Sequence, residues 1–232
     1  IADIDLDGND DIVGAGHWWK HTGGSNYQRF VIDDGRKREF TRTQVGQLVP
    51  GGRPEVVICP GDVPPDDPES YYSVAARLGA EKGAFRPDQY SNPANPQAHY
   101  ETTGPEIWRQ TDGQVGSVVI GVGTGGTISG VGRSLKERNP EVRIIGVDPE
   151  GSIYTAEDGS RVHPYLTEGV GEDFWPETFD RDLVDCFEVV TDSEAFAMTR
   201  RLVAEEGILA GGSGGMAVVG ALREVERHPD DL

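Results

Sequence analysis

Lysine is scarce in these 232 residues: Lys20, Lys37, Lys82 and Lys136 are the full complement. Against 40 acidic residues, 21 Lys and Arg leave a formal charge of −19. A surface of that sign repels phosphate backbones and anionic bilayers, so no nucleic-acid and no membrane partner is expected. The same acidic, lysine-poor balance suits a protein kept soluble at high salt. Cysteine is also short. Cys59 and Cys186 form neither a disulfide framework nor a metal-ligand spacing, and they read as core or partly buried thiols of a reducing, cytoplasmic compartment. No apolar run reaches the length of a membrane span, and no secretory leader is expected from the opening residues. The first residue is Ile1 rather than methionine, which predicts a processed or incomplete chain.

What is abundant is glycine, 32 residues of it, and its most informative cluster follows an apolar run. Ser117 to Val122 leads into Gly123-Thr124-Gly125-Gly126-Thr127, and a helical pattern begins at once. A helix N-terminus carries unpaired N–H groups and the positive end of the helix dipole. Glycines let the backbone approach an anion, and the two threonines add hydroxyl donors. Taken alone the pattern fits either a tight β–α turn or a phosphate cradle.

The first residues have a different texture. Asp3, Asp5, Asp7 and Asp11 occupy positions 1, 3, 5 and 9 of a loop with Gly8 at position 6, a calcium-type arrangement of oxygen ligands. Position 12 is Gly14 instead of glutamate, flanking helices are missing, and Ile12 and Val13 begin a strand-like run. A shift of 44 residues lays Val45–Ile58 over Ile1–Gly14 and preserves the glycine and apolar positions, with the ligands largely lost. This pattern resembles the calcium loops of FG-GAP repeats in integrin-like β-propellers. The resemblance implies a propeller-repeat fragment over residues 1–58, with calcium held by Asp3, Asp5, Asp7 and Asp11.

From about Asp62 the pattern changes to alternating helices and strands. Helical spacing is expected over 70–83, near 104–110, after the glycine loop up to Pro140, over 192–207 and from Met216 onward. Strands are expected at 117–122, 142–150 and 184–190, while 89–97, with two prolines, reads as a polar loop. That order predicts an α/β fold with a mostly parallel sheet flanked by helices.

Five ordered segments carry a family resemblance: Asp88–Trp108, Gly121–Glu137, Gly146–Ser152, Glu168–Pro176 and Glu205–Ala217. Together they resemble the cystathionine β-synthase and cysteine synthase family of pyridoxal-phosphate enzymes (fold type II) over roughly residues 62–232. The DPEGS and EGVGEDFWP wording is closer to cystathionine β-synthase. The resemblance implies a domain over 59–232 that binds pyridoxal phosphate. It also implies replacement of the β-substituent of serine or O-acetylserine by a thiol, with an amino acid and a thiol as small-molecule partners and a homodimer as the assembly. It assigns Gly123, Thr124, Gly125, Gly126 and Thr127 to the cofactor phosphate and Ser213 to the pyridine nitrogen. Gln89, Tyr90, Glu168, Gly169 and Gly171 fall on the substrate side. Asp148 and Glu150 are expected to hold a loop rather than transfer protons.

The family also uses a Schiff-base lysine in an SxKDR-like segment and an SxGNT-type loop for the substrate carboxylate. None of the four lysines sits in such a context, so no catalytic residue is assigned. A truncated or chimeric synthase, inactive alone and joined to the β segment near Pro54–Ser70, is the expectation. The alternative is a calcium-binding propeller-type module carrying a passenger α/β fragment.

Overall fold

The computed structural model describes residues 12–14, 17–23, 26–31, 43–46, 55–60, 63–156 and 161–228. The chain divides into two compact units, Ile1–Pro87 and Asp88–Leu232.

In the first unit, β1 (Ile12–Gly14), β2 (His17–Gly23) and β3 (Asn26–Val31) form an antiparallel meander, and β4 (Thr43–Gly46) pairs antiparallel with β5 (Glu55–Ile58). The strand expected from Ile12 is present. The 44-residue shift relates β5 to β1, yet β1 pairs with the strand after it and β5 with the strand before it. Asp3, Asp5, Asp7 and Asp11 lie outside the described residues. Helix α1 (Tyr71–Lys82) starts where Ser70 Oγ accepts the Ser73 N–H at 3.1 Å, and ends at Gly83 in the left-handed region.

The second unit is built on a parallel sheet of order β6-β7-β8, with β6 at Ser117–Gly121, β7 at Arg143–Pro149 and β8 at Cys186–Val190. The register runs from Ser117 opposite Arg143 to Gly121 opposite Val147, and from Ile145 opposite Cys186 to Pro149 opposite Val190. Six of the seven β7 residues are buried, as a central strand covered on both faces requires. That explains its continuous apolar run.

Helix α4 (Gly126–Lys136) returns the chain from β6 to β7 and is buried on most of its surface. Ile128, Val131 and Leu135 pack with Val122, Val142 and Ile144. Each such fully buried aliphatic side chain stabilises the fold by about 1.5–3 kcal/mol. The opposite stripe is small, so α2 (Ala94–Glu101) crosses almost in backbone contact. A Cβ at Gly130 would lie 2.2 Å from the Pro96 carbonyl oxygen. Helix α3 (Thr103–Gln110) continues this layer.

On the β8 side, α5 (Asp192–Arg201) opens with a capping box of Thr191 and Glu194. It passes into a single π-helical turn, Leu202–Glu206, and closes at Gly207. Helix α6 (Gly212–Arg227) begins a turn earlier than Met216 and packs Met216 against Val147, Val170 and Val190. Cys59 is buried and Cys186 half-buried, as expected of core or partly buried thiols. Among the described residues no helix is long and apolar enough to cross a membrane.

Candidate functional site

The glycine loop lies at the carboxyl end of β6, where parallel α/β sheets place ligands. Gly125 stands as the N-cap of α4 with φ +81°, and its carbonyl accepts the Ser129 N–H at 3.0 Å. The N–H groups of Gly125, Gly126, Thr127 and Ile128 therefore precede the first intrahelical bond. Three of these N–H groups (that of Gly126 makes a 3.4 Å contact to Thr124 Oγ1), two threonine hydroxyls and the positive end of a three-turn helix form a donor set suited to a phosphate. A Cβ at Gly125 would lie 2.4 Å from Phe179 Cβ, so only glycine fits there.

The loop is fixed from behind by residues that no motif announced. The Thr178 hydroxyl donates to the Thr124 carbonyl at 2.6 Å, and Tyr154 donates its phenol to the Gly123 carbonyl. Burial, then the neighbouring Glu172 and Asp148 carboxylates, raise the Tyr154 phenol above its ordinary value, so it remains a protonated donor. Tyr154 itself packs edge-on to Phe179 and Trp175. From α2, Asn95 Nδ2 donates to Thr124 Oγ1 at 3.0 Å and His99 Nε2 meets Thr127 Oγ1 at 3.1 Å.

Two of the substrate-side expectations fall beside this loop. The Gln89 carbonyl accepts Asn95 Nδ2 at 2.8 Å, and the Tyr90 carbonyl accepts the Thr178 N–H at 3.2 Å. The EGVG segment is adjacent as well: Gly171 N–H donates to the Val122 carbonyl at 2.7 Å, and the Gly169 carbonyl oxygen would lie 3.1 Å from a Cβ at Gly123. Glu168 is exposed. Asp192 holds the entry to that segment, accepting from the N–H groups of Leu166 at 2.7 Å and Thr167 at 2.8 Å.

Ser213 occupies the first turn of α6 and is half-buried. Its turn meets the EGVG segment through Thr167, whose Cγ2 would be 3.6 Å from a Cβ at Gly212. No described hydrogen bond joins Ser213 to the glycine loop. At the end of β7, Asp148 is fully buried and its Oδ2 accepts the Thr155 hydroxyl at 2.8 Å. Desolvation pushes its carboxyl up to about 6. That bond ties the strand end to the following loop, the role expected of it. Glu150 is exposed.

Lys136 is the one lysine of residues 88–232. It sits in the last turn of α4, ten residues or about 15 Å of helix axis from Gly126. Its ammonium is paired with Asp185 at 2.8 Å. Among the described residues no group of three or more His, Cys, Asp or Glu is placed to hold a metal.

A parallel α/β unit with a glycine loop at a helix N-terminus is an arrangement suited to the phosphate of a nucleotide or cofactor. The chain matches the family described as pyridoxal-phosphate dependent enzyme over residues 47–231, and it belongs to that family. Curated relatives include a cystathionine beta-synthase of Apis mellifera, 41% identical over 180 residues (76% of this chain, 36% of the relative). That of Oryctolagus cuniculus is 47% identical over 176 residues, 74% of this chain and 32% of the relative. A cysteine synthase of Helicobacter pylori is 44% identical over 147 residues, 63% of this chain and 47% of the relative. The chain spans about a third of the length of the two cystathionine beta-synthases. The match begins at residue 47, within the Val45–Ile58 segment compared above with the first repeat.

Proposed function

We propose that residues 88–232 hold the phosphate and ring-nitrogen side of a pyridoxal-phosphate β-synthase site. The observation that carries this reading is the cradle of Gly123–Thr127 at the α4 N-terminus, held by Thr178, Tyr154, Asn95 and His99. In the bound state the cofactor supplies an electron sink for chemistry at the amino-acid α-carbon. The loop N–H groups and the Thr124 and Thr127 hydroxyls anchor its phosphate. Ser213, a neutral hydroxyl at a helix start, would serve as hydrogen-bond partner of the pyridine nitrogen. Gln89, Tyr90 and the Glu168–Gly171 segment border the substrate.

The reaction proposed is replacement of the β-substituent of serine or O-acetylserine by a thiol, in a homodimer; the relatives' names, cystathionine beta-synthase and cysteine synthase, support the synthase part of this reading. Lys136 is committed to Asp185 at the far end of α4, so this region supplies no amine for a covalent link to the cofactor. None of Lys20, Lys37, Lys82 or Lys136 lies in the family's Schiff-base context, so we propose that the chain is inactive alone. A β segment over 1–58 and a synthase part over 59–232 belong to this proposal, and the family match crosses that boundary.

The test is a titration of the purified chain with pyridoxal phosphate, followed by tryptophan fluorescence. Reversible binding that inorganic phosphate displaces, with no borohydride-stable adduct, is expected. A stable adduct on any lysine would refute the half-site, and binding indifferent to phosphate would refute the cradle.

A further inference from the structure

Both threonines of the cradle are approached from the same side by the same helix. Asn95 and His99 are four residues apart on α2, hence on one face and one turn apart. Asn95 Nδ2 lies 3.0 Å from Thr124 Oγ1, and His99 Nε2 lies 3.1 Å from Thr127 Oγ1. The orientation of the Asn95 amide is fixed by its second contact. A backbone carbonyl only accepts, so the group 2.8 Å from the Gln89 oxygen is the NH2. Thr124 Oγ1 therefore accepts from Asn95, and accepts more weakly from the Gly126 N–H at 3.4 Å. With both lone pairs engaged, its own proton is left to be donated elsewhere.

A second contact lies one turn on. His99 Nδ1 meets Thr103 Oγ1 at 3.0 Å, four residues further along the chain. A hydroxyl can donate or accept, so the direction follows the ring tautomer; we take the one in which Thr103 donates to Nδ1 and the Nε2–H donates to Thr127 Oγ1. The Thr127 hydroxyl proton is then also free to point into the cradle.

We propose that Asn95 and His99 are positioning residues: they fill the acceptor sites of Thr124 and Thr127 so that both hydroxyls donate to the bound phosphate. This rests on reading the loop as the cofactor-phosphate site. Neither residue need touch the ligand. A hydroxyl free to rotate would spend part of its time donating to a protein acceptor. One held by an α2 donor is preset for an anion, and bonds to charged partners are the stronger kind.

The experiment uses the full chain and two probes, pyridoxal phosphate and pyridoxal, which differ only in the phosphate. Binding is followed by tryptophan fluorescence for wild type, His99→Ala, His99→Gln, Thr127→Ala and the His99→Ala/Thr127→Ala pair. The expected result is ~10-fold weaker binding of pyridoxal phosphate by His99→Ala, with pyridoxal unchanged. His99→Gln, whose amide can donate from a similar place, restores affinity to within about threefold. In the Thr127→Ala background, the His99 change costs less than about twofold more, because its target is gone.

Equal losses for both probes would overturn the proposal. So would additive losses in the double variant, or failure of glutamine to rescue while the chain stays folded by circular dichroism. If wild type binds the two probes equally, the phosphate reading of the loop falls and this inference falls with it. If wild type discriminates and the variants do not follow the pattern, only the role of α2 is refuted.

Discussion

The Thr178 hydroxyl donates to the Thr124 carbonyl at 2.6 Å, joining two residues 54 positions apart in the chain. The same threonine also donates its N–H to the Tyr90 carbonyl, so one buried residue ties the glycine loop to the turn at Gln89–Ser91. Replacement of Thr178 by valine keeps the volume and removes the donor. The expected loss is about 1–2 kcal/mol of stability and ~5–10-fold in affinity for pyridoxal phosphate, with serine restoring both. Urea unfolding and the fluorescence titration measure the two effects. A valine variant that binds as wild type would show that the loop holds its shape without Thr178.

Asp148 makes a pH-dependent contribution with an unusual sign. Its carboxyl is fully buried and desolvation pushes it up to about 6, against ~3.9 in an unfolded chain. The folded state binds this proton more tightly. The resulting stability is fully present below about pH 4 and is lost as pH rises through about 6, at a cost of up to about 3 kcal/mol. Asp148→Asn keeps an acceptor for Thr155 without the charge. It should be more stable than wild type by ~1–3 kcal/mol at pH 8, with the difference vanishing near pH 4. Paired urea titrations at five pH values suffice. Parallel curves at all pH values would sink the assignment.

The legible parts of this chain were those in which one local pattern leaves a single outcome. An apolar run followed by GTGGT dictated β6, the turn and α4, because glycine and helix-start chemistry act within a few residues. Helix α2 was hidden by Pro93 and Pro96, which suggested a loop. They occupy the N-cap and the third helical position, where no N–H is needed for intrahelical bonds, so proline is tolerated. The loop's supporting contacts were not legible, since Thr178 and Tyr154 act through hydrogen bonds to carbonyls 54 and 31 positions away. The pairing of Asn95 with His99 did leave a trace, an i, i+4 spacing, visible only once the helix is known.

Asp185 joins α4 to β7. Its carboxylate accepts Lys136 Nζ at 2.8 and 2.9 Å and the Ile144 N–H at 2.7 Å, and these partners lower its carboxyl below the ordinary value despite opposing desolvation. The lysine side of this pair is partly solvated, so Lys136→Met should cost less than ~1 kcal/mol. Asp185→Ala also strips the acceptor from the Ile144 amide and should cost about 1–2 kcal/mol. Urea unfolding of both variants at pH 7 orders them. Equal losses would mean that the ion pair alone accounts for the effect.

Gly125 and Gly169 provide a matched pair, because both have φ +81° and both lie at the candidate site. Left-handed backbone alone costs an alanine about 1–2 kcal/mol. Space separates the two positions. A Cβ at Gly169 meets nothing within 4 Å, whereas one at Gly125 would lie 2.4 Å from Phe179 Cβ and 2.7 Å from Phe179 Cα. Those are atoms on or next to the backbone and cannot swing aside, so the loop or the Phe179 segment must move. Gly169→Ala should therefore lose about 1 kcal/mol and retain binding of pyridoxal phosphate within about threefold. Gly125→Ala should lose at least ~3 kcal/mol, since overpacking adds to strain, and should abolish phosphate-dependent binding. Thermal unfolding and the same titration compare them side by side. Indistinguishable variants would show that strain alone sets the cost, and that the cradle does not depend on the approach of Phe179.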